Sequence, residues 1–434
     1  LISEQNQKPP FQAVFFNFND FCLGNCNKTK FNHFINHCRC INISLQNLLL
    51  KRKMTMIHLK SREARQPGFI AHPGFSKSSD NLRRKTRMTK QLLFTLALIS
   101  GMAAGVANAC TRCVYLGPNN NVFVARSMDW AEDPGSEIYS FPRGMARDGA
   151  AGPNSMKWTS KYGSVVCTFY GVASVDGINE KGLVANVLYL VESNYGKPVA
   201  NRPNLSIAAW AQYTLDNYAT VAEAVKGLRQ EPFTIIAPIL PNKEPAQGHL
   251  SISDPSGDSA IFEYVGGKLV IHHDRKYQVM TNSPTFDEQL ALNKYWEEIG
   301  GMVMLPGTSR ASDRFARASF YVNNLPKSAD EAKSVAMVFS IIRSVSVPLG
   351  LTTPGAPNIA STIWRTAYNQ KSRIFYFDSA TSPNVFWLEL ADIDFSENAS
   401  VKKLALKGGE TYSGNAVKQM KNAQPFAFLP AKPE

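Results

Sequence analysis

From Cys110 to the C-terminus the chain is a succession of short segments rich in β-branched and aromatic residues, each bounded by turn residues. They read "NVFVARS", "SVVCTFYG", "GLVANVLYL", "FTIIAPI", "HLSISD", "SAIFEYV", "KLVIHH" and "YQVMTN". Segments of this length and makeup form strands. The Gly266-Gly267 pair between "FEYV" and "KLVIHH" marks a tight hairpin. Helical patterns interrupt in blocks. "SIAAWAQYTLDNY" is followed by "TVAEAVKGL", where Thr220 and Glu223 can form a capping box, and a second box, Ser328 with Glu331, opens "SADEAKSVAMVFSIIRSV". "TFDEQLALNKYWEEI" and "SDRFARASFYVNNL" are also helical, and strands return at "TIWRTAYNQ", "SRIFYFDS" and "NVFWLEL". Antiparallel strands with helices in blocks predict an α+β fold, its sheets covered by helices. No repeat, linker or low-complexity tract divides residues 110–434, which read as one domain.

The segment before Cys110 has a different character. The chain carries a net charge of +13, but residues 1–109 hold 16 of its 47 basic and only 4 of its 34 acidic residues. The body is therefore within one charge of neutral, which removes the argument for a nucleic-acid or anionic-membrane partner. "MTKQLLFTLALISGMAAGVANA", residues 88–109, has the layout of a secretory signal peptide. Lys90 precedes an apolar core, and Ala107-Asn108-Ala109 offers a small-x-small cleavage site. Two glycines and a small-residue end make it a poor membrane span, so no stable membrane anchor is expected. The reading is a protein exported to the periplasm or secreted, cleaved before Cys110. Residues 1–87 read as an upstream extension. Within them "CLGNCNKTKFNHFINHCRC" has zinc-ligand composition, but its Cys and His pairs stand too close for a C2H2 finger.

Cleavage after Ala109 would make Cys110 the first residue, with a thiol and a free amine on one carbon skeleton. The α-amine can then accept and redeliver the thiol proton, and no histidine is required. That suits a body whose histidines are His249, His272 and His273, the last two adjacent and pointing to opposite faces of a strand. Cys113 and Cys167 are the other cysteines of the body, available for one bridge or as two buried thiols.

Motifs spread over the body resemble the choloylglycine hydrolase family of N-terminal nucleophile hydrolases, which includes conjugated-bile-salt hydrolases and penicillin V acylases. Cys110 is followed by "ARSMDW", with Arg126 and Asp129; "GINEKGLVANVLYL" is similar to the family's Gly-x-Asn-Glu-Lys-Gly-Leu segment; "MTNSPTFDEQL" supplies Asn282 and "ASDRFARASF" supplies Arg314. The resemblance implies a four-layer αββα sandwich with antiparallel sheets. It also implies an amidohydrolase that works without metal or cofactor and can assemble as a homotetramer. It gives Cys110 the role of nucleophile. Arg126 would hold the thiolate, Asp129 would orient the α-ammonium, and Asn282 would donate to the oxyanion. Arg314 takes an active-site role from the family alone, with Arg317 one turn further as its rival. At Tyr189 bile-salt hydrolases typically carry Asn and penicillin acylases often Tyr; a Tyr would leave its backbone N–H to serve the oxyanion. Met128, Trp130 and Phe169 are candidates to line an aryl- or acyl-binding pocket. The expected substrate is a small acylated amide of the penicillin V or acyl-homoserine-lactone type, with conjugated bile salts as the alternative. The rivals of other classes are a non-catalytic lipoprotein binding module lipidated on Cys110 and a zinc protein binding nucleic acid through residues 1–87.

Overall fold

The computed structural model of the chain describes residues 110–351 and 360–433. The upstream extension, the signal-like segment and the Cys/His cluster lie outside the described residues. Two large sheets dominate. The seven-stranded sheet runs, in spatial order, Val279–Met280, Thr111–Leu116, Val122–Asp129, Thr362–Asn369, Ile374–Ser379, Val385–Glu389 and Gly414–Asn415. The nine-stranded sheet runs Lys268–His273, Ser259–Val265, His249–Ser253, Val184–Leu188, Ala173–Asn179, Ser164–Phe169, Ile138–Phe141, Lys402–Leu404 and Lys421–Asn422. All pairings in these sheets are antiparallel except the last of the seven-stranded sheet.

Helix Trp210–Asn217 packs on the nine-stranded sheet, and helices Ala311–Asn324 and Glu331–Ser344 pack on the seven-stranded one. One apolar core includes side chains from both sheets and from the helices on each side. The result is the four-layer α+β sandwich, helix–sheet–sheet–helix. Strand Val122–Asp129 shows what this does to sequence pattern: all eight of its residues are buried, because one face meets the second sheet and the other meets helices. Polar side chains also cross between the sheets. Arg112 on the first strand donates from Nη2 to the Ile252 carbonyl at 3.2 Å and to Ser259 Oγ at 3.1 Å.

Several local expectations are corrected. Helix Glu331–Ser344 is capped by Asp330, which accepts from the Lys333 N–H at 3.1 Å, while Ser328 Oγ accepts from the Asp330 N–H. Asp330 stands three residues before Lys333, and its negative charge suits the helix start better than a serine two residues further out. The Thr220 cap forms, but Glu223 reaches the Ala219 N–H instead of closing the box. A complete box at Thr285 and Glu288 starts helix Phe286–Ile299. "FTIIAPI" contributes only Thr234–Ile236, paired parallel to Asn204–Ser206 outside the two large sheets. Cys113 and Cys167 lie on different sheets as buried free thiols, so no bridge joins them. Gly266 and Gly267 do form the hairpin turn, with φ of 59° and 78°.

The "GINEKGL" segment is a structural device. It turns the chain between strands Ala173–Asn179 and Val184–Leu188. Asn179 Oδ1 accepts from the N–H groups of Lys181 (3.0 Å) and Leu183 (3.1 Å), and its Nδ2 donates to the carbonyls of Leu215 (2.9 Å) and Tyr218 (2.8 Å). The hairpin is thereby tied to the end of the covering helix. Asn179→Ala orphans these buried groups and is expected to lower stability by about 2–4 kcal/mol in denaturant unfolding, with kcat per folded molecule unchanged.

Candidate active site

Cys110 immediately precedes the strand Thr111–Leu116, whose pairing places Thr111 opposite Ser127 and Arg112 opposite Arg126. The thiol is 2% exposed; it lies 3.7 Å from the Asp129 carbonyl and 3.8 Å from Arg126 Nη2. Strand alternation then divides Val122–Asp129 between two tasks. Arg126 and Met128 point toward the nine-stranded sheet. Arg126 donates to the Val187 carbonyl at 3.3 Å, faces Asp176 Oδ2 at 3.9 Å, and lies 4.6 Å from the centre of the Trp364 ring. These partners fix the guanidinium beside the sulfur. Burial pushes the Cys110 thiol pKa up, and Arg126 is the main opposing influence.

Ser127 and Asp129 point the other way. The Asp129 carboxylate accepts from Thr362 Oγ1 at 2.5 Å and Ser127 Oγ at 3.2 Å, next to a β-bulge between Thr362 and Trp364. Burial raises its pKa to about 6, against Arg314, the two hydroxyls and Arg126. Arg314 is not the exposed residue that a helix start usually carries. It is fully buried, donating from Nη1 to the Cys110 carbonyl (2.6 Å) and Thr111 Oγ1 (2.5 Å) and from Nη2 to Asn282 Oδ1 (2.9 Å). Arg317 instead donates to the carbonyls of Pro306 and Thr308, holding a loop. Asn282 is likewise fully buried, and its Nδ2 donates to the Tyr189 carbonyl at 2.8 Å.

Beside these groups lies an apolar cleft. Cys110, Arg126, Met128, Trp130, Phe169 and Tyr189 all line it. Asp129, Asn282 and Arg314 do not; they form a polar layer behind Cys110 and Tyr189. Trp130 meets Phe169 edge-on at 5.2 Å and donates from Nε1 to the Tyr170 hydroxyl at 2.9 Å. The Tyr189 hydroxyl donates to Gln247 Oε1 at 3.1 Å. Sequence reading passed over Asp176, Thr362 and Gln247. A carboxylate inside the apolar strand "ASVDGIN" was a usable signal, since a buried charge needs a partner. Nothing local marked Thr362 or Gln247, which matter only through residues far away in sequence.

The histidines are occupied elsewhere. His272 is buried and His273 exposed, as alternation requires. His249 bonds Glu263 Oε1 through Nδ1 and the Thr281 carbonyl through Nε2, both at 2.8 Å. Burial pushes the Glu263 carboxyl up, but bonds from His249, His272 and the Phe286 N–H prevail and hold its pKa at about 2. A depressed folded pKa contributes stability above the unfolded value of about 4.5, lost as pH falls toward 2. Between pH 6 and pH 3 the wild type should therefore lose on the order of 2 kcal/mol more unfolding free energy than Glu263→Gln, measured by denaturant titration at each pH.

Residues 110–402 match the family described as linear amide C–N hydrolases, choloylglycine hydrolase family. The chain is 51% identical over 371 residues to a penicillin V acylase of Pectobacterium atrosepticum, covering 80% of this chain and 99% of that protein. It is 24% identical over 318 residues to a bile salt hydrolase/transferase of Bifidobacterium longum, covering 67% of this chain and 98% of that one. A solved penicillin V acylase from Agrobacterium tumefaciens superposes with a TM-score of 0.70 at 59% identity, covering 74% of this chain and 99% of that chain. A conjugated bile acid hydrolase from Clostridium perfringens shares the fold with a TM-score of 0.60 at 22% identity, covering 70% and 98%. With its antiparallel double sheet and an apolar cleft opening on Cys110, the chain belongs to the choloylglycine hydrolase family and is an amidohydrolase of linear C–N amides.

Proposed function

We propose that the enzyme cleaves the side-chain amide of an acylated small molecule, of the penicillin V or acyl-homoserine-lactone type, through a thioester on Cys110. The observation that carries this reading is the sulfur itself, at the boundary between an apolar cleft and a buried polar layer and 3.8 Å from Arg126 Nη2. The cleft walls offer no acidic side chain, so they suit an uncharged aryl or alkyl acyl group.

In this reading the chain is exported and cut after Ala109, which frees the Cys110 amine. The match to the Pectobacterium protein supports a leader, because it spans more of this chain than the part from Cys110 onward contains. The amine takes the thiol proton as the sulfur attacks the amide carbon. The resulting oxyanion accepts from the Tyr189 backbone N–H and from the Asn282 N–H not bonded to the Tyr189 carbonyl. Collapse breaks the C–N bond while the α-ammonium returns its proton to the leaving amine. Water then adds to the thioester, giving its proton to the α-amine, and the thiol is released with the carboxylic acid. Arg126 stabilises the thiolate, and Asp129 with Arg314 holds the N-terminus in place.

N-terminal sequencing of the active natural enzyme should read Cys-Thr-Arg-Cys; an active preparation starting at Met88 would overturn the mechanism. Cys110→Ala should abolish turnover and Cys110→Ser should lose most of it, whereas Cys113→Ala and Cys167→Ala should keep it. Asn282→Ala should cost on the order of a hundredfold in kcat, as removal of one oxyanion donor does. For the wild type, kcat/KM should be higher for penicillin V or a long-chain acyl-homoserine lactone than for glycocholate. The opposite order would assign the enzyme to conjugated bile salts.

A further inference from the structure

The two candidate oxyanion donors stand on different sheets. Tyr189 follows Val184–Leu188 in the nine-stranded sheet, and Asn282 lies just past Val279–Met280 at the edge of the seven-stranded one. Their spacing therefore depends on how the sheets are locked together. The Asn282 bond to the Tyr189 carbonyl is one tie. A second runs through His249. This residue pairs across its strand with Leu188, the neighbour of Tyr189, while its Nε2 reaches the carbonyl of Thr281, the neighbour of Asn282. Behind it, Glu263 holds Nδ1 and also accepts from the Phe286 N–H at 3.1 and 3.2 Å. His249 and Glu263 are each 1% exposed. The segment 281–286 is thus gripped at both ends from the opposite sheet. An apolar pair could pack these positions equally well, but it could offer neither a donor to Thr281 nor an acceptor to Phe286.

We propose that His249 is a positioning residue for amide hydrolysis: backed by Glu263, it clamps the Thr281 carbonyl and so sets the Asn282 amide against Tyr189. This rests on the reading of Asn282 and Tyr189 as the oxyanion donors. The role requires a donor at the Nε2 position. A glutamine at 249 can place its amide nitrogen there, whereas an asparagine reaches only the Nδ1 position.

Steady-state hydrolysis of penicillin V by the full enzyme, referenced to folded protein, tests the proposal. His249→Asn should lower kcat about 10- to 100-fold with KM within about threefold, since misplacing a donor by a fraction of an ångström acts on the transition state. His249→Gln should recover kcat to within about fivefold of wild type. On an Asn282→Ala background His249→Asn should cost no more than about threefold further, because both changes act through one donor. If His249→Asn does not fold, Glu263→Gln takes its place with the same expected loss of kcat. Equal losses in the Gln and Asn variants, or a full loss repeated on the Asn282→Ala background, would overturn the proposal, as would a near-wild-type His249→Asn enzyme. An Asn282→Ala enzyme with full turnover instead overturns the oxyanion reading, without reference to any His249 variant.

Discussion

The buried guanidinium of Arg314 is the contact on which the site's geometry depends. It joins its own helix to two pieces of chain far away in sequence: the Cys110 carbonyl and the Thr111 hydroxyl on one, and the side-chain oxygen of Asn282 on the other. Burial lowers its pKa to about 10, which leaves it charged at neutral pH, and Asp129 is the strongest influence opposing that shift. A buried cation is tolerated only where fixed acceptors replace water. Arg314 therefore demands that the Cys110 strand, the Asn282 segment and its own helix meet in one arrangement.

The polar layer and the cleft depend on each other. Cys110 and Tyr189 form the boundary, with charged and amide groups behind them and aromatic and aliphatic walls in front. Water excluded by those walls cannot screen Arg126, so its field on the sulfur is stronger than a surface arginine could provide. The permanence of that charge matters equally, because the thiol is itself pushed toward its neutral form by burial. The same desolvation that makes the cleft apolar holds the thiol toward its neutral form, and the fixed cation beside it works against that.

The sheet pairing carries this division of labour down to single residues. On Val122–Asp129, alternate side chains serve the cleft and the polar layer, so a one-residue slip would exchange Arg126 and Met128 for Ser127 and Asp129. The strand is pinned on one side by Thr111–Leu116 and on the other by Thr362–Asn369, whose bulge lies opposite Asp129 and Met128. The bulge brings Thr362 to the Asp129 carboxylate.

The sequence by itself determined the strand-rich α+β body and the Gly266-Gly267 turn, and its motif order singled out Cys110, Arg126, Asn282 and Arg314, which the fold brings together, because periodicity, turn chemistry and motif order are local properties. It also supported Met128, Trp130 and Phe169 as pocket-lining residues, and all three line the cleft. What it could not decide were matters settled by distant partners. Asp330, not Ser328, caps its helix because the helix starts two residues later than the box implied. Arg314 rather than Arg317 is drawn inward because its side chain meets Cys110, Thr111 and Asn282, while Arg317 one turn away meets only loop carbonyls. Asn179, conspicuous as part of a motif, does structural work because both ends of its amide find backbone groups of the hairpin and the helix. Asp176 and the His249–Glu263 pair gain their meaning only when the two sheets are stacked, and Thr362 and Gln247 only when the strand or loop beside them is in place. A buried polar group is defined by what satisfies it, and here the satisfying partner comes from another strand or from the opposite sheet.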